Sequence, residues 1–210
     1  EKLLADYPAP DGVDLEVGGT VEDQGDAFGD LGTLLILIVI LVYIVMATQF
    51  ESLKFPFIIM FTIPFAFTGV FLALWMTSTP LSLIALIGAI MLVGIVTKNG
   101  IVMVDYMNLL IERGSGVFDA VIAGGKSRLR PVLMTSFTTI LGMLPLAIGT
   151  GAGSETWQPM GIAVIGGLTC STLLTLFIIP ALYSVFVNRS QRKEKEKLAR
   201  LSAEHQASVH

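Results

Sequence analysis

The residue best placed to do chemistry in this sequence is Lys98, which interrupts the long, mainly apolar run from Leu81 to Leu110. The run is long enough to cross a bilayer as a helix, so the ammonium group lies at hydrocarbon depth. A cation there costs about 2.5–3.5 kcal/mol on insertion scales, and such residues usually face a partner, a cavity or water. We therefore predict that Lys98 belongs to an ion or proton path, the alternative being a lysine that snorkels to the membrane surface.

Helical spacing adds neighbours to this lysine. Gly94 precedes Lys98 by four residues and Asp105 follows it by seven, so the three share roughly one face of a helix. The glycine would let another backbone approach the lysine closely, and Asn99 adds an amide beside it. Asp105 is either part of the same path or a solvated carboxylate near the interface.

A second polar pair lies further along the chain. Arg128 and Thr135 are seven residues apart, which places them two turns apart on one face of a helix. Arg128 is either a functional cation or a charge that sets topology near the membrane surface. Thr135 either serves a polar path or donates to a carbonyl of its own helix.

The elements that must position these residues are membrane helices. The chain is 53% hydrophobic and only 14% charged, and several apolar runs approach the roughly 20 residues that a spanning helix needs. We predict an all-α membrane protein with five spans and, at about 117–127, an interfacial helix, with Pro64 kinking the second span. The predicted spans cover residues 31–48, 55–76, 81–110, 131–148 and 160–187.

The ends of the chain are polar. Residues 1–30 are expected to be the end of a periplasmic subdomain, and residues 188–210 a cytoplasmic tail. Lys and Arg occur in the connectors after the first and third spans and in the tail, whereas the connectors 77–80 and 149–158 carry none. This asymmetry places the tail in the cytoplasm and the amino terminus outside. Because the sequence begins at Glu1 without methionine, we expect a fragment or a processed piece.

Small residues indicate a packed bundle. Ala163, Gly167 and Ser171 recur at four-residue spacing in the fifth span, and Gly94 and Gly100 lie in the third. Such residues let membrane helices approach closely.

Longer motifs then identify a family. The segments are Gly94–Val102 (GIVTKNGIV), Arg128–Ser136 (RLRPVLMTS), Leu144–Ala147 (LPLA), Gly149–Gly153 (GTGAG) and Gln49–Ser52 (QFES). Together they resemble the carboxy-terminal membrane half of a resistance–nodulation–division (RND) efflux pump, with the hydrophobe/amphiphile efflux branch as the best match. The resemblance extends over roughly residues 27–189.

The resemblance implies a fold and a function. The five spans would be part of a twelve-helix transporter that exchanges drugs for protons. Lys98, Arg128 and Thr135, with Asn99, would contribute to the proton relay, and Asp105 stands where the family often has an acidic residue. The family's paired aspartates lie in the amino-terminal half, which this sequence lacks.

The resemblance also implies partners and a location. These are the missing amino-terminal half, a homotrimer, a periplasmic adaptor protein, an outer-membrane channel, membrane lipid and small-molecule drugs, in the bacterial inner membrane. No cofactor, resident metal, catalytic residue or nucleic acid is expected.

Three alternatives remain at this stage. A metal-exporting relative would be distinguished by methionine pairs lining the path, for which Met103 and Met107 are candidates, although bundle packing or lipid contact more often accounts for such a pair. A non-transporting membrane assembly would use the same small-residue stripe. An intramembrane aspartyl protease needs two carboxylates that share a proton, and Asp105 is the only candidate within the predicted spans.

Overall fold

The structure is a computed structural model that describes residues 20–149, 151 and 153–208, with side chains for 24–149, 151 and 153–187. The predicted periplasmic segment therefore lies largely outside the described residues, and only its last part, from Thr20, is seen to open the first helix.

The described residues form six helices and the turns between them, and they contain no strand. Their bounds are α1 Thr20–Phe50, α2 Lys54–Met60, α3 Ile63–Met76, α4 Leu83–Glu112, α5 Val117–Ile148 and α6 Ser154–Ser208. Five stretches are long and apolar enough to cross a membrane, namely Gln24–Phe50, Lys54–Met76, Leu83–Glu112, Val117–Ile148 and Ser154–Val187. The predicted all-α, five-span fold class is confirmed.

The second span is interrupted rather than continuous. Helix α2 ends at Met60, four residues before Pro64, which has no N–H to donate to the Met60 carbonyl. The two intervening residues turn with their own hydrogen bonds, since the Thr62 hydroxyl donates to the Ile59 carbonyl at 2.6 Å. Pro64 then stands in the first turn of α3, where a proline is tolerated.

Helix α5 differs from the predicted arrangement. It runs without a break from Val117 to Ile148 and contains Pro131, so residues 117–127 are not a helix separate from 131–148. A proline removes one hydrogen bond and bends a helix without necessarily ending it when neighbouring helices support both sides. The interfacial position of residues 117–127 stays a prediction.

Helix α6 forms the centre of the bundle and packs against α3, α4 and α5. The stripe of Ala163, Gly167 and Ser171 is buried along this helix. A Cβ on Gly167 would collide with Leu92 of α4 and lie 3.1 Å from the Ala66 carbonyl of α3. The close packing of the α3 backbone and the Leu92 side chain against α6 therefore requires a glycine-sized residue at this position.

Helix α1 is attached more loosely. It contacts α2 and α4, and Met46 is its one buried residue among those whose side chains are described. Most of its leucines, isoleucines and valines are exposed in this chain. This surface requires lipid or another helix to cover it, because it would be unfavourable in water.

Candidate functional site: a polar cavity between two membrane helices

A cavity of about 400 Å³ lies between α4 and α5. Both walls carry polar side chains in the middle of apolar helices. The lining residues are Ile95, Lys98 and Asn99 of α4, with Met134, Thr135, Ser136, Thr138 and Thr139 of α5. The structure thus brings together three of the predicted relay residues, Lys98, Asn99 and Thr135.

Lys98 occupies the middle of its helix. It follows Leu83 by fifteen residues and precedes Glu112 by fourteen, which puts it about 21–23 Å from either end. A snorkelling lysine lies near a helix end, so this depth favours the functional interpretation.

Lys98 also borders a second cleft, of about 330 Å³, between α1 and α4. Residues of α1 and α4 line it, and nearly all of them are apolar. They are Leu41, Val42, Val45, Met46, Gly94, Thr97, Lys98, Ile101 and Val102. The side chain of Lys98 is exposed in this chain rather than buried, and no carboxylate pairs with it among the described side chains. Its position allows it to turn toward either cleft.

Thr135 is exposed to the cavity and donates its hydroxyl to the Val132 carbonyl of its own helix at 3.0 Å. Thr138 and Thr139 behave alike, donating to Met134 and Thr135 carbonyls at 2.8 and 2.9 Å. A hydroxyl that donates within its helix still offers two lone pairs as acceptors. Thr135 can therefore accept a hydrogen bond from Lys98 or from water while it keeps its own bond.

Arg128 is not among the residues that line this cavity. Its guanidinium carbon lies 4.7 Å from the ring centroid of Tyr106, a cation–π contact between α5 and α4. Its Nε is buried and has no hydrogen-bond partner among the described residues. Seven residues of helix place Arg128 about 10.5 Å from Thr135, on the side where α5 begins.

Asp105 belongs to a third site. It lines a polar cleft of about 280 Å³ together with Gln49, Glu51, Asn108 and Glu112. The structure does not bring Asp105 to Lys98, because about 10.5 Å of helix separates them along α4. Asn108 in this cleft accepts a hydrogen bond from Tyr183 of α6.

The two glycines of α4 differ in their surroundings. A Cβ on Gly100 would lie 2.8 Å from Cγ2 of Ile59, so this glycine packs against α2. Gly94 has no atom within 4 Å of such a Cβ and lines the cleft beside α1. Its predicted role, close approach of another backbone to Lys98, stays a prediction about a helix outside the described residues.

Sequence reasoning missed Tyr106 and Ser136. Tyr106 follows Asn99 by seven residues and so lies on the same face of α4, toward α5. This spacing could have identified it from the sequence. Ser136 is one of four nearby hydroxyl residues, with Thr135, Thr138 and Thr139, and the sequence did not distinguish it from the others. The packing of α5 on α6 shows that its hydroxyl makes a hydrogen bond to another helix.

This fold and this cavity define a polytopic helical membrane protein with a charged and hydroxyl-lined site at mid-depth. The family described as the AcrB/AcrD/AcrF family matches residues 1–187, and the chain belongs to that family. The predicted resemblance to RND pumps is confirmed at this level.

Curated relatives include proteins of different stated roles. The chain is 38% identical to the swarming motility protein SwrC of Bacillus subtilis over 194 residues, which are 92% of this chain and 18% of that protein. It is also 38% identical to the cobalt-zinc-cadmium resistance protein CzcA of Cupriavidus metallidurans, covering 89% of this chain and 17% of that protein. The chain is also 38% identical to the multidrug resistance protein MdtC of Yersinia enterocolitica, over 96% of this chain and 20% of that protein.

A solved structure agrees with the fold. The crystal structure of a heavy metal efflux pump superposes with a TM-score of 0.76 at 31% identity, covering 89% of this chain and 19% of that one. The chain thus spans about a fifth of the length of the proteins that it matches. These matches establish the family without selecting between its drug and metal branches.

Proposed function

We propose that this chain supplies carboxy-terminal membrane helices to a proton-driven efflux transporter, in which Lys98, Asn99 and Thr135 take part in the proton-linked step. The observation that carries the proposal is the mid-membrane cavity where Lys98 and Thr135 face one space from opposite helices. An intramembrane cation is expensive, so a functional partner is expected for it.

The cleft between α1 and α4 is the place for that partner. Its lining is almost wholly apolar except for Lys98, and Gly94 leaves open space in its wall because it has no side chain. A membrane helix with a carboxylate, supplied by the rest of the transporter, would fit here and hold Lys98 on this side. Each carboxylate that takes up a proton then loses its attraction for the ammonium group.

Protonation of the partner carboxylate would release Lys98 and so change how the helices pack. The freed ammonium group can turn into the α4/α5 cavity, where the Asn99 and Thr135 oxygens accept its hydrogen bonds. Two positions of one charge bias two packings of the helices, and rocking of one helix group against another is how such transporters alternate access. Arg128, stacked on Tyr106, would act on the other side of Thr135, and Asp105 would lie outside the exchange.

For the substrate we propose amphiphilic drugs. Met103 and Met107 are fully buried in the core, where Met107 packs against Gly124, so neither lines the two clefts beside Lys98. In these two clefts, therefore, the pair gives no support to the metal-exporting alternative. The similarity to CzcA and to a heavy metal pump keeps metal export as the second candidate.

The assembly that we propose follows from the family. The complete transporter would be a homotrimer in a bacterial inner membrane, acting with a periplasmic adaptor protein and an outer-membrane channel. We propose transport, not enzymatic turnover, as the activity of the site.

The function is tested with the complete transporter in vesicles that carry an imposed pH gradient. Export of a fluorescent amphiphile should require the gradient and stop when an ionophore collapses it. Export of cobalt, zinc or cadmium ions in place of the dye would select the metal candidate. Export that continues without the gradient would contradict the proposal.

One prediction concerns topology. Single cysteines at Ser78, in the turn before α4, and at Ser208, at the end of α6, should react with a membrane-impermeant thiol reagent from opposite sides. The reason is that Lys and Arg concentrate in the tail and are lacking in the turn. The assay uses a background in which Cys170 is replaced by alanine. Labelling of both positions from one side would refute this orientation.

Another prediction separates the two interpretations of Thr135. Thr135→Ala should lower proton-coupled export by about tenfold, and Thr135→Ser should retain most of it, because serine keeps the hydroxyl in the cavity. Thr138→Ala is the matched control, since Thr138 lines the same cavity and also donates to its own helix. Equal export by Thr135→Ala and the control, in vesicles with equal amounts of transporter, would assign the Thr135 hydroxyl to its helix alone.

A further inference from the structure

A hydrogen bond between two hydroxyl groups links α5 to α6. The Ser136 and Thr172 oxygens lie 2.9 Å apart, and the residues are only 3% and 6% exposed. The neighbouring hydroxyls behave differently, since Thr135, Thr138 and Thr169 each donate to a carbonyl of their own helix. The Ser136–Thr172 bond is therefore a specific contact between helices.

Ser136 is also a wall of the Lys98 cavity, and Thr135 precedes it directly in the chain. Adjacent residues of a helix are offset by about 100°, so fixing the direction of one side chain fixes the direction of the next. A bond that points Ser136 toward α6 consequently points Thr135 toward Lys98 and Asn99.

Pro131 explains why α5 needs this anchor. The proline has no N–H for the Ser127 carbonyl, so the helix after it is held less firmly by the helix before it. Arg128, before the proline, contacts Tyr106 of α4. Thr135 follows the proline and lies on the segment that the Ser136–Thr172 hydrogen bond links to α6.

We propose that Ser136 and Thr172 are positioning residues for the proton-linked step, because their hydrogen bond sets the rotation of α5 after Pro131 and so keeps Thr135 directed at Lys98. The inference rests on the proposed function and adds a residue of α6 to it. Thr172 touches neither Lys98 nor Thr135 in this role and acts through Ser136.

The test compares Ser136→Ala and Thr172→Val in the complete transporter, at equal amounts in vesicles, over a range of pH. Each variant should lower export about three- to tenfold, the range that one hydrogen bond between membrane helices supplies, and should displace the pH profile. Thr172→Ser should restore the wild-type profile, and the double variant should be no worse than either single one. Thr169→Val is the control, since Thr169 lines a small cleft between α5 and α6 together with Ser136 and Thr172 but donates its hydroxyl to the Ile165 carbonyl of its own helix.

The outcomes distinguish a positioning role from a purely structural one. If both variants reduce only the amount of inserted protein and leave the pH profile of the remainder unchanged, the inference is wrong. Ser136→Ala removes a single oxygen, so it carries the test if Thr172→Val fails to insert. Normal export by a Lys98→Ala variant would overturn the proposed function itself, whereas loss there with unchanged Ser136 and Thr172 variants overturns only this inference.

Discussion

Replacement of Lys98 by alanine should abolish proton-coupled export by the complete transporter while leaving its insertion intact. The side chain is exposed in this chain, so its truncation should leave no buried void and the fold should tolerate its loss. Among the described residues, Lys98 is the one cation that lines both mid-membrane clefts, and the variant lacks it. Without Lys98, protonation of a partner carboxylate would free no cation to move between the two clefts.

Replacement of Lys98 by arginine should also fail, although the charge is kept. The guanidinium is a planar fork that pairs with a carboxylate in a fixed geometry, whereas the ammonium is a compact charge on a flexible stem. A cation that moves between two clefts needs the second of these properties. Retained export by Lys98→Arg would show that charge alone is sufficient.

The measurement is dye export in cells or vesicles with equal amounts of each variant. Lys126→Ala is the matched control, because Lys126 is an exposed lysine of α5 that does not line the Lys98 cavity. It should export normally. A wild-type drug-resistance phenotype in cells that express Lys98→Ala would falsify the proposed role.

The membrane spans could be predicted from the sequence because the length of an apolar segment is a local property. It placed Lys98 at mid-helix and the stripe of Ala163, Gly167 and Ser171 on one face, and both positions are seen in the structure. It could not give the continuity of α5 through Pro131, because that depends on support from neighbouring helices.

The same limit applies to the site. Spacing within one helix put Asp105 near the face of Lys98 but two turns away, and the structure shows it in a separate cleft with Glu51 of the turn after α1. Spacing also paired Arg128 with Thr135, whereas the contact with Tyr106 holds Arg128 outside the cavity. Which residues of two helices meet is decided by their relative rotation, and a periodic pattern does not contain that information.

Residues 1–210 by themselves should show no proton-driven transport, and the reason is the charge balance around Lys98. Across the predicted spans of the sequence, Asp105 is the only carboxylate, and it lies in a different cleft, about 10.5 Å along α4. Opposite charges need to approach within about 4 Å to pair. The chain alone therefore offers Lys98 no anion that protons could neutralise.

The experiment reconstitutes the 210-residue chain in vesicles and imposes a pH gradient, with and without the remaining part of a transporter of the relatives' length. We expect no export from the chain alone and restored export when the two parts are produced together. Restoration should depend on Lys98, and Gly94→Phe should prevent it while Gly142→Phe does not. Both glycines have open space around them in this chain, but only Gly94 lines the cleft where the missing helix is proposed to dock. Sustained proton-driven dye flux from the purified chain alone would show that a partner carboxylate is not required.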